Sequence, residues 1–289
     1  MSDRLRPLWD FFDLDASEQR LRGQLEREPS DDGRAEVLTQ LARVEGLRGA
    51  FDEGDRYLEQ AEELAGESAV ARARIDLERG RLRRSSGNKV AALPLFVAAF
   101  ETARSAGELF IAVDAAHMAA IAAPDREGVV EWTQRGIDLA EPAEPSVRYW
   151  LGPLLNNLGW EYFDSGDHEA ALAAFRRALV ERERQPENRE PIALARYAVA
   201  KALRALGRAD EAVPFLEQAV AWTEEVGQPD GWYHEELAEA YTALGRDGDA
   251  REQAEKALAV LPDADPDFTP ESERAQRLHH IAAETPHGP

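Results

Sequence analysis

The chain has 289 residues, no cysteine, and 56 acidic against 34 basic side chains, a formal net charge of −22. That charge excludes a general affinity for nucleic acid or for an anionic membrane surface, since both need a positive face, and the missing cysteine excludes disulfide and thiolate chemistry. With 44% hydrophobic and 31% charged residues, the chain can bury a large core as two ordinary domains or one elongated array.

Residues 1–33 form a head. Trp9, Phe11, Phe12 and Leu14 stand among Asp10, Asp13 and Asp15, and a capping helix is predicted from Ser17 to about Glu28, ended by Asp31-Asp32-Gly33. The opening MSDRLRPLWDFFDLD lacks the uninterrupted apolar run of a signal peptide. The most apolar stretch, residues 109–124, carries Asp114 and His117 and is too short to span a bilayer. A cytoplasmic protein without membrane contact is therefore expected. Lysine occurs only at 89, 201 and 256, and arginine elsewhere, as a GC-rich bacterial genome would produce.

From residue 34 the chain is self-similar. The clearest unit is residues 154–179, where Leu155, Leu158 and Tyr162 share one helical face, Ala171, Phe175 and Ala178 share another, and Gly166-Asp167 breaks the helix between them. Taking that turn as an anchor aligns Gly49, Gly87, Ala123, Gly166, Gly207 and Gly245, at spacings of 38, 36, 43, 41 and 38 residues. Seven positions before the anchor stand Ala42, Gly80, Ala116, Gly159, Ala200 and Ala238, and five after it Gly54, Ala92, Gly128, Ala171, Ala212 and Ala250. Nine after come the larger Leu58, Phe96, Trp132, Phe175 and Leu216, with Ala254 weaker; twelve after, Ala61, Ala99, Ala178, Ala219 and Ala257 agree and Arg135 departs. The small columns let the two helices of a unit cross closely, and the large column is expected to fill the gap to the next unit. Such pairs cannot bury their apolar faces alone, so they stack. The expected fold is all-α, a right-handed superhelical solenoid of about six helix–turn–helix repeats over residues 34–262. Residues 263–289 follow as an acidic linker, a capping helix near 271–284 and a frayed tail, Thr285 to Pro289.

Leu158, Gly159, Tyr162, Gly166, Ala171, Phe175 and Ala178 together resemble the tetratricopeptide repeat, and Leu237, Tyr241, Gly245, Ala250, Ala257 and Pro262 repeat the match in the last unit. The middle units match more loosely, and the third, with Ala123-Pro124 as its turn, departs most. The family's usual period is 34; these units are longer, similar to bacterial sensor and regulator arrays. The resemblance implies a protein- or peptide-binding scaffold with no intrinsic catalysis and no cofactor. It also implies that the first helix of each unit lines a concave face.

The stripe so implied runs three, six and ten residues before each anchor. It carries Arg43, Arg81, His117, Trp160, Lys201 and Glu239 centrally, Arg84, Phe163 and Arg204 on one side, and Thr39, Asn156, Tyr197 and Glu235 on the other. Arginine forks and lysine at the ends, with aromatic rings and the Asn156-Asn157 amides in the middle, suit an acidic or phosphorylated segment, or a small anionic ligand. The competing reading is that these cations pair with neighbouring Asp and Glu and that Trp160 is core. The family's carboxylate clamp needs lysine and asparagine over three successive units; the set is incomplete, so chaperone-tail recognition is not expected. A sensor of a small ligand or signalling peptide is the alternative function, and an enzyme using Asp114, His117 and Asn156 is the remaining one. No metal site, phosphate-cradling glycine loop or nucleophile elbow is expected, and His279-His280 point in different directions. The acidic–aromatic head either caps the first helix pair or lies in a groove, its own or that of a second copy in a homodimer.

Overall fold

The computed structural model describes residues 3–11 and 13–283; Phe12 and the expected frayed tail, Thr285 to Pro289, lie outside them. Among the described residues there are fifteen α-helices and no strand. They fall into two compact units, residues 1–154 and 155–289. The first holds a 3-10 turn (Arg6–Leu8) and α1 (Leu14–Arg27). Three hairpins follow: α2 (Asp31–Leu47) with α3 (Phe51–Ala65), α4 (Ala69–Ser85) with α5 (Lys89–Ser105), and α6 (Leu109–Ala122) with α7 (Arg126–Ala140). The short α8 (Pro145–Arg148) and the start of α9 (Leu151–Asp164) complete it. The second unit holds the rest of α9 with α10 (His168–Arg182), then α11 (Arg189–Ala205) with α12 (Ala209–Glu225), α13 (Gly231–Ala243) with α14 (Asp247–Ala264), and α15 (Glu273–Ala283).

Five hairpins close in the same way. Gly49, Gly87, Gly166, Gly207 and Gly245 have φ of 78°, 89°, 81°, 72° and 69°. The next amide reaches back five residues in each: Ala50 to Glu45, Asn88 to Arg83, Asp167 to Tyr162, Arg208 to Leu203 and Arg246 to Tyr241, at 2.8–2.9 Å. This satisfies a carbonyl that the helix end would otherwise leave without a donor, and only glycine enters that conformation without a Cβ penalty. Ala123 closes the third hairpin with φ −60° and ψ 141°, so there the chain leaves the helix extended, and Asp125 caps α7 instead by accepting from the Gly128 amide at 2.9 Å.

The close crossings lie where the small residues are. A Cβ on Gly80 would come within 2.5 Å of the Phe96 ring, and one on Gly159 would overlap the Phe175 ring. Phe96 and Phe175 are both fully buried. The large residue thus packs over the glycine of its own hairpin, which corrects the expectation that it fills the gap to the next. Contact with the next hairpin falls to other positions: a Cβ on Gly54 would meet Leu82 of α4 at 2.9 Å. In the first unit Leu77, Phe96, Phe100, Ile111, Met118 and Trp132 belong to one buried cluster. In the second, Phe175, Tyr197, Leu203, Leu216, Tyr233, Leu237 and Leu278 do so.

Three boundaries differ from the sequence expectation. Asp13 accepts from the Ala16 amide at 2.9 Å, so α1 starts at Leu14. Asp31-Asp32-Gly33 opens α2 rather than ending α1: Ser30 Oγ accepts from the Gly33 amide at 3.2 Å, and two carboxylates in a first turn suit the helix dipole. Pro262 lies inside α14, which runs to Ala264.

His234, on α13, is 1% exposed, and its Nδ1 lies 2.7 Å from Gln253 Oε1. Burial pushes its pKa below the usual 6.5. The folded chain therefore keeps the ring neutral while the unfolded chain takes up a proton first, and stability is lost as pH falls below about 6.5. Wild-type melting temperature is expected to drop between about pH 7 and 5.5, ahead of carboxylate protonation, and His234→Gln to flatten that drop. A His234→Gln chain with an equally steep profile in thermal melts would assign the loss to other groups.

Candidate functional site

The stripe residues of the first unit lie on the face formed by α2, α4 and α6. Arg81 does not present a free charge there. It donates to Glu78 one turn earlier on α4 and to Asp114 on α6, and all three side chains are nearly buried, at 13%, 1% and 7% exposure for Arg81, Glu78 and Asp114. Burial alone would lower the Arg81 pKa, but Asp114 and Glu78 hold it above the ordinary arginine value. Burial likewise opposes the Asp114 carboxylate, and Arg81 and Arg43 outweigh it and keep its pKa low. Asp114 thus pairs with Arg81 while also interacting with His117, whose ring tilts against Trp150 with centroids 5.4 Å apart.

Arg43 stands differently. Its guanidinium lies 5.3 Å from the ring centres of both Trp9 and Phe11, and among the described residues it has no carboxylate partner. Burial, with Arg81 nearby, lowers its pKa. Arg84 Nε is buried without a hydrogen-bond partner. Arg43, Arg81 and Arg84 line a cleft of about 160 Å³ with Leu47, Leu82 and Met118.

In the second unit Trp160, Phe163 and Tyr197 lie together, while His117 belongs to the first unit. Trp160 meets Phe163 at 5.6 Å, Phe175 at 5.0 Å and Tyr197 at 6.4 Å, and Tyr197 meets Tyr233 at 5.1 Å. Trp160 is half-buried, so it belongs partly to the core and partly to the surface. Asn156 and Asn157 are also half-buried, and Asn156 Oδ1 has no hydrogen-bond partner. Lys201 and Arg204 both donate to Glu236 at 2.6 Å, and Lys201 Nζ also lies 3.3 Å from the Tyr197 hydroxyl. Burial opposes the Glu236 charge, but Arg204 and Lys201 hold its pKa below the usual range.

The picture of a stripe of open cations is therefore corrected for Arg81, Lys201 and Arg204. Of the partners, Asp114 stands out in the sequence only beside His117, and Glu78 and Glu236 do not; all three lie nine residues before their anchors, with Gln40 and Asn157 at the same position in other units. That column lies beside the stripe, and Glu78 and Arg81 are one helical turn apart, the spacing at which opposite charges meet. Glu235 and Glu239 are engaged too, with Arg274 and Arg277 of α15, and Thr39 is fully buried, donating to the Glu36 carbonyl at 2.7 Å. Among the described residues, no three His, Asp or Glu side chains cluster as a metal would need.

Successive antiparallel hairpins with small residues at each crossing define a helical-repeat protein. Residues 152–179 and 191–263 match family models described as the tetratricopeptide repeat. Those two stretches of the chain are tetratricopeptide repeats. No curated protein matches the chain significantly. Among solved structures it is similar to the signal-transduction ATPase with a tetratricopeptide-repeat sensor from Pyrococcus horikoshii: TM-score 0.71, 15% identity, 87% of this chain and 40% of that one. It is similar to a chain of an APC/C hetero-tetramer: TM-score 0.62, 17% identity, 97% of this chain and 48% of that one. It also resembles NprR in complex with its cognate peptide: TM-score 0.54, 17% identity, 96% of this chain and 79% of that one. The chain thus spans less than half the length of the first two. No helix among the described residues is long and apolar enough to cross a membrane.

Proposed function

We propose that the chain is a non-catalytic scaffold that binds a protein or peptide segment, and that the second unit takes an acidic segment beside Asn156 and Trp160. The observation that carries this is the Asn156 amide. Its Oδ1 is buried with no donor, an arrangement that costs stability unless a ligand supplies one. One turn along α9 stands the half-buried Trp160, near Phe163 and Tyr197. An extended peptide would give a backbone N–H to Asn156 and lay apolar side chains on the rings. Lys201 and Arg204, which share the Glu236 carboxylate while Arg204 also reaches Glu239 at 4.0 Å, retain donors for an incoming carboxylate. NprR, of similar fold, is known in complex with a peptide.

The test is selection of a displayed random-peptide library on the wild-type chain and on Asn156→Leu. Wild type is expected to enrich sequences with Asp or Glu beside an aromatic residue, with capture weakening as salt rises, and Asn156→Leu to lose that enrichment while melting normally. Equal enrichment on both chains, or no charge preference, would remove the acidic-segment reading.

A further inference from the structure

The head of the first unit is built like a ligand. Residues 3–11 cross the face of α2, α4 and α6, making a different kind of contact at each step. Asp3 pairs with the buried Arg74 of α4. Leu5 enters the apolar cluster that includes Leu21, Leu38 and Leu41. The Arg6 guanidinium sits over the Tyr149 ring at 4.6 Å and the Phe110 ring of α6 at 5.9 Å. Trp9 Nε1 donates to Gln40 Oε1 of α2 at 3.0 Å. Trp9 and Phe11 then stack at 4.9 Å with planes 9° apart, and Arg43 lies against both. Asp10 and Ser17 exchange hydrogen bonds at 2.7 and 2.8 Å, returning the chain to α1.

A plain hydrophobic cap would bury its largest side chains. This segment buries Leu5 but leaves Phe11 48% exposed, and it reads the helices through ion pairs of Asp3 with Arg74 and of Arg4 with Glu28 and Glu36, the Trp9–Gln40 hydrogen bond and several ring–cation contacts. These are the interactions by which grooves recognise extended peptides. Arg43, against the segment, and Arg84, which lines a cleft with Arg43, have no carboxylate partner among the described residues, so the face is more cationic than its present occupant satisfies.

We propose that the face formed by α2, α4 and α6 is a peptide-binding site, occupied here by the chain's own residues 3–11, and that its external ligand is a short segment of another protein with aromatic residues flanked by carboxylates. The proposal rests on the protein-binding reading above but on a different surface, so a chain whose second unit selects no peptide would still meet or fail the test below. The tethered segment competes with the external one at an effective concentration in the millimolar range, and an incoming carboxylate near Arg43 and Arg84 supplies the contact the resident segment lacks.

The probe is a fluorescent peptide with this chain's first fifteen residues, MSDRLRPLWDFFDLD, beside a scrambled control. It is titrated by anisotropy against the full wild-type chain and against Asp3→Asn/Trp9→Ala, which loosens the resident segment. The loosened chain should bind at least about tenfold more tightly than wild type, as removal of an intramolecular competitor requires. Adding Arg43→Gln should reduce that binding, and the scrambled peptide should bind neither chain. Equal affinity of both chains, equal binding of the scrambled peptide, or no binding by a loosened chain that still melts cooperatively would overturn the proposal and leave the segment as a cap. If the loosened chain does not fold, amide exchange on wild type decides. Residues 3–11 should exchange faster with peptide at about 1 mM, the tether's own effective concentration, and unchanged exchange overturns the proposal.

Discussion

Replacing Arg81 by methionine is expected to destabilise the first unit by about 3–5 kcal/mol, the range for removing one member of a buried ion-pair group. Glu78 and Asp114, at 1% and 7% exposure, would lose the cation that both bind, with Arg43 left as a neighbour that pairs with neither. Glu78 Oε2 already lacks a hydrogen-bond partner, so losing Arg81 adds to an acceptor deficit that is already there. Denaturant unfolding followed by circular dichroism measures the change. Adding Glu78→Gln and Asp114→Asn should return part of it, because the cost comes from uncompensated charge rather than lost packing. An Arg81→Met loss below about 1 kcal/mol, the worth of an exposed pair, would mean that solvent reaches the carboxylates. Charge reversal at Arg81 would unfold before it reported on binding, so ligand recognition is better probed at Arg43 or Asn156.

The second large effect belongs to Phe175. It is fully buried, its ring lies over Gly159, and it meets Trp160 at 5.0 Å. Phe175→Ala is expected to cost about 3–5 kcal/mol through lost apolar burial and the cavity left behind. Gly159→Ala should destabilise for the opposite reason, since its Cβ would overlap the ring and helix spacing cannot relax without moving α9 from α10. Combining Gly159→Ala with Phe175→Leu should cost less than the sum of the two single changes, because the smaller side chain admits the methyl group. Strict additivity in that cycle would show that the two positions do not share one crossing.

Local geometry made the hairpins readable from residue order. A turn that needs positive φ selects glycine at Gly49, Gly87, Gly166, Gly207 and Gly245, and a close crossing selects a small residue seven positions earlier, as Gly80 and Gly159 show. Both requirements act within some twenty residues of chain, so their spacing survives in the sequence and carries the resemblance to the repeat family. Ala123 is the informative exception, since its extended conformation asks for no glycine.

The charges were different, because their partners come from other hairpins. Arg81 meets Asp114 across 33 residues, and Lys201 and Arg204 meet Glu236 across 35 and 32. Each pairing depends on how one hairpin is rotated and raised against the next, a quantity set by packing of many side chains and not by periodicity within a helix. The same holds for the head. Its acidic–aromatic composition suggested a fit to a cationic face, but only tertiary structure sets Asp3 on Arg74 and Trp9 between Gln40 and Arg43. Residue order by itself determined the repeat, its turns and its crossings; three-dimensional packing decided which cations are neutralised and which, like Arg43 among the described residues, have no carboxylate of their own.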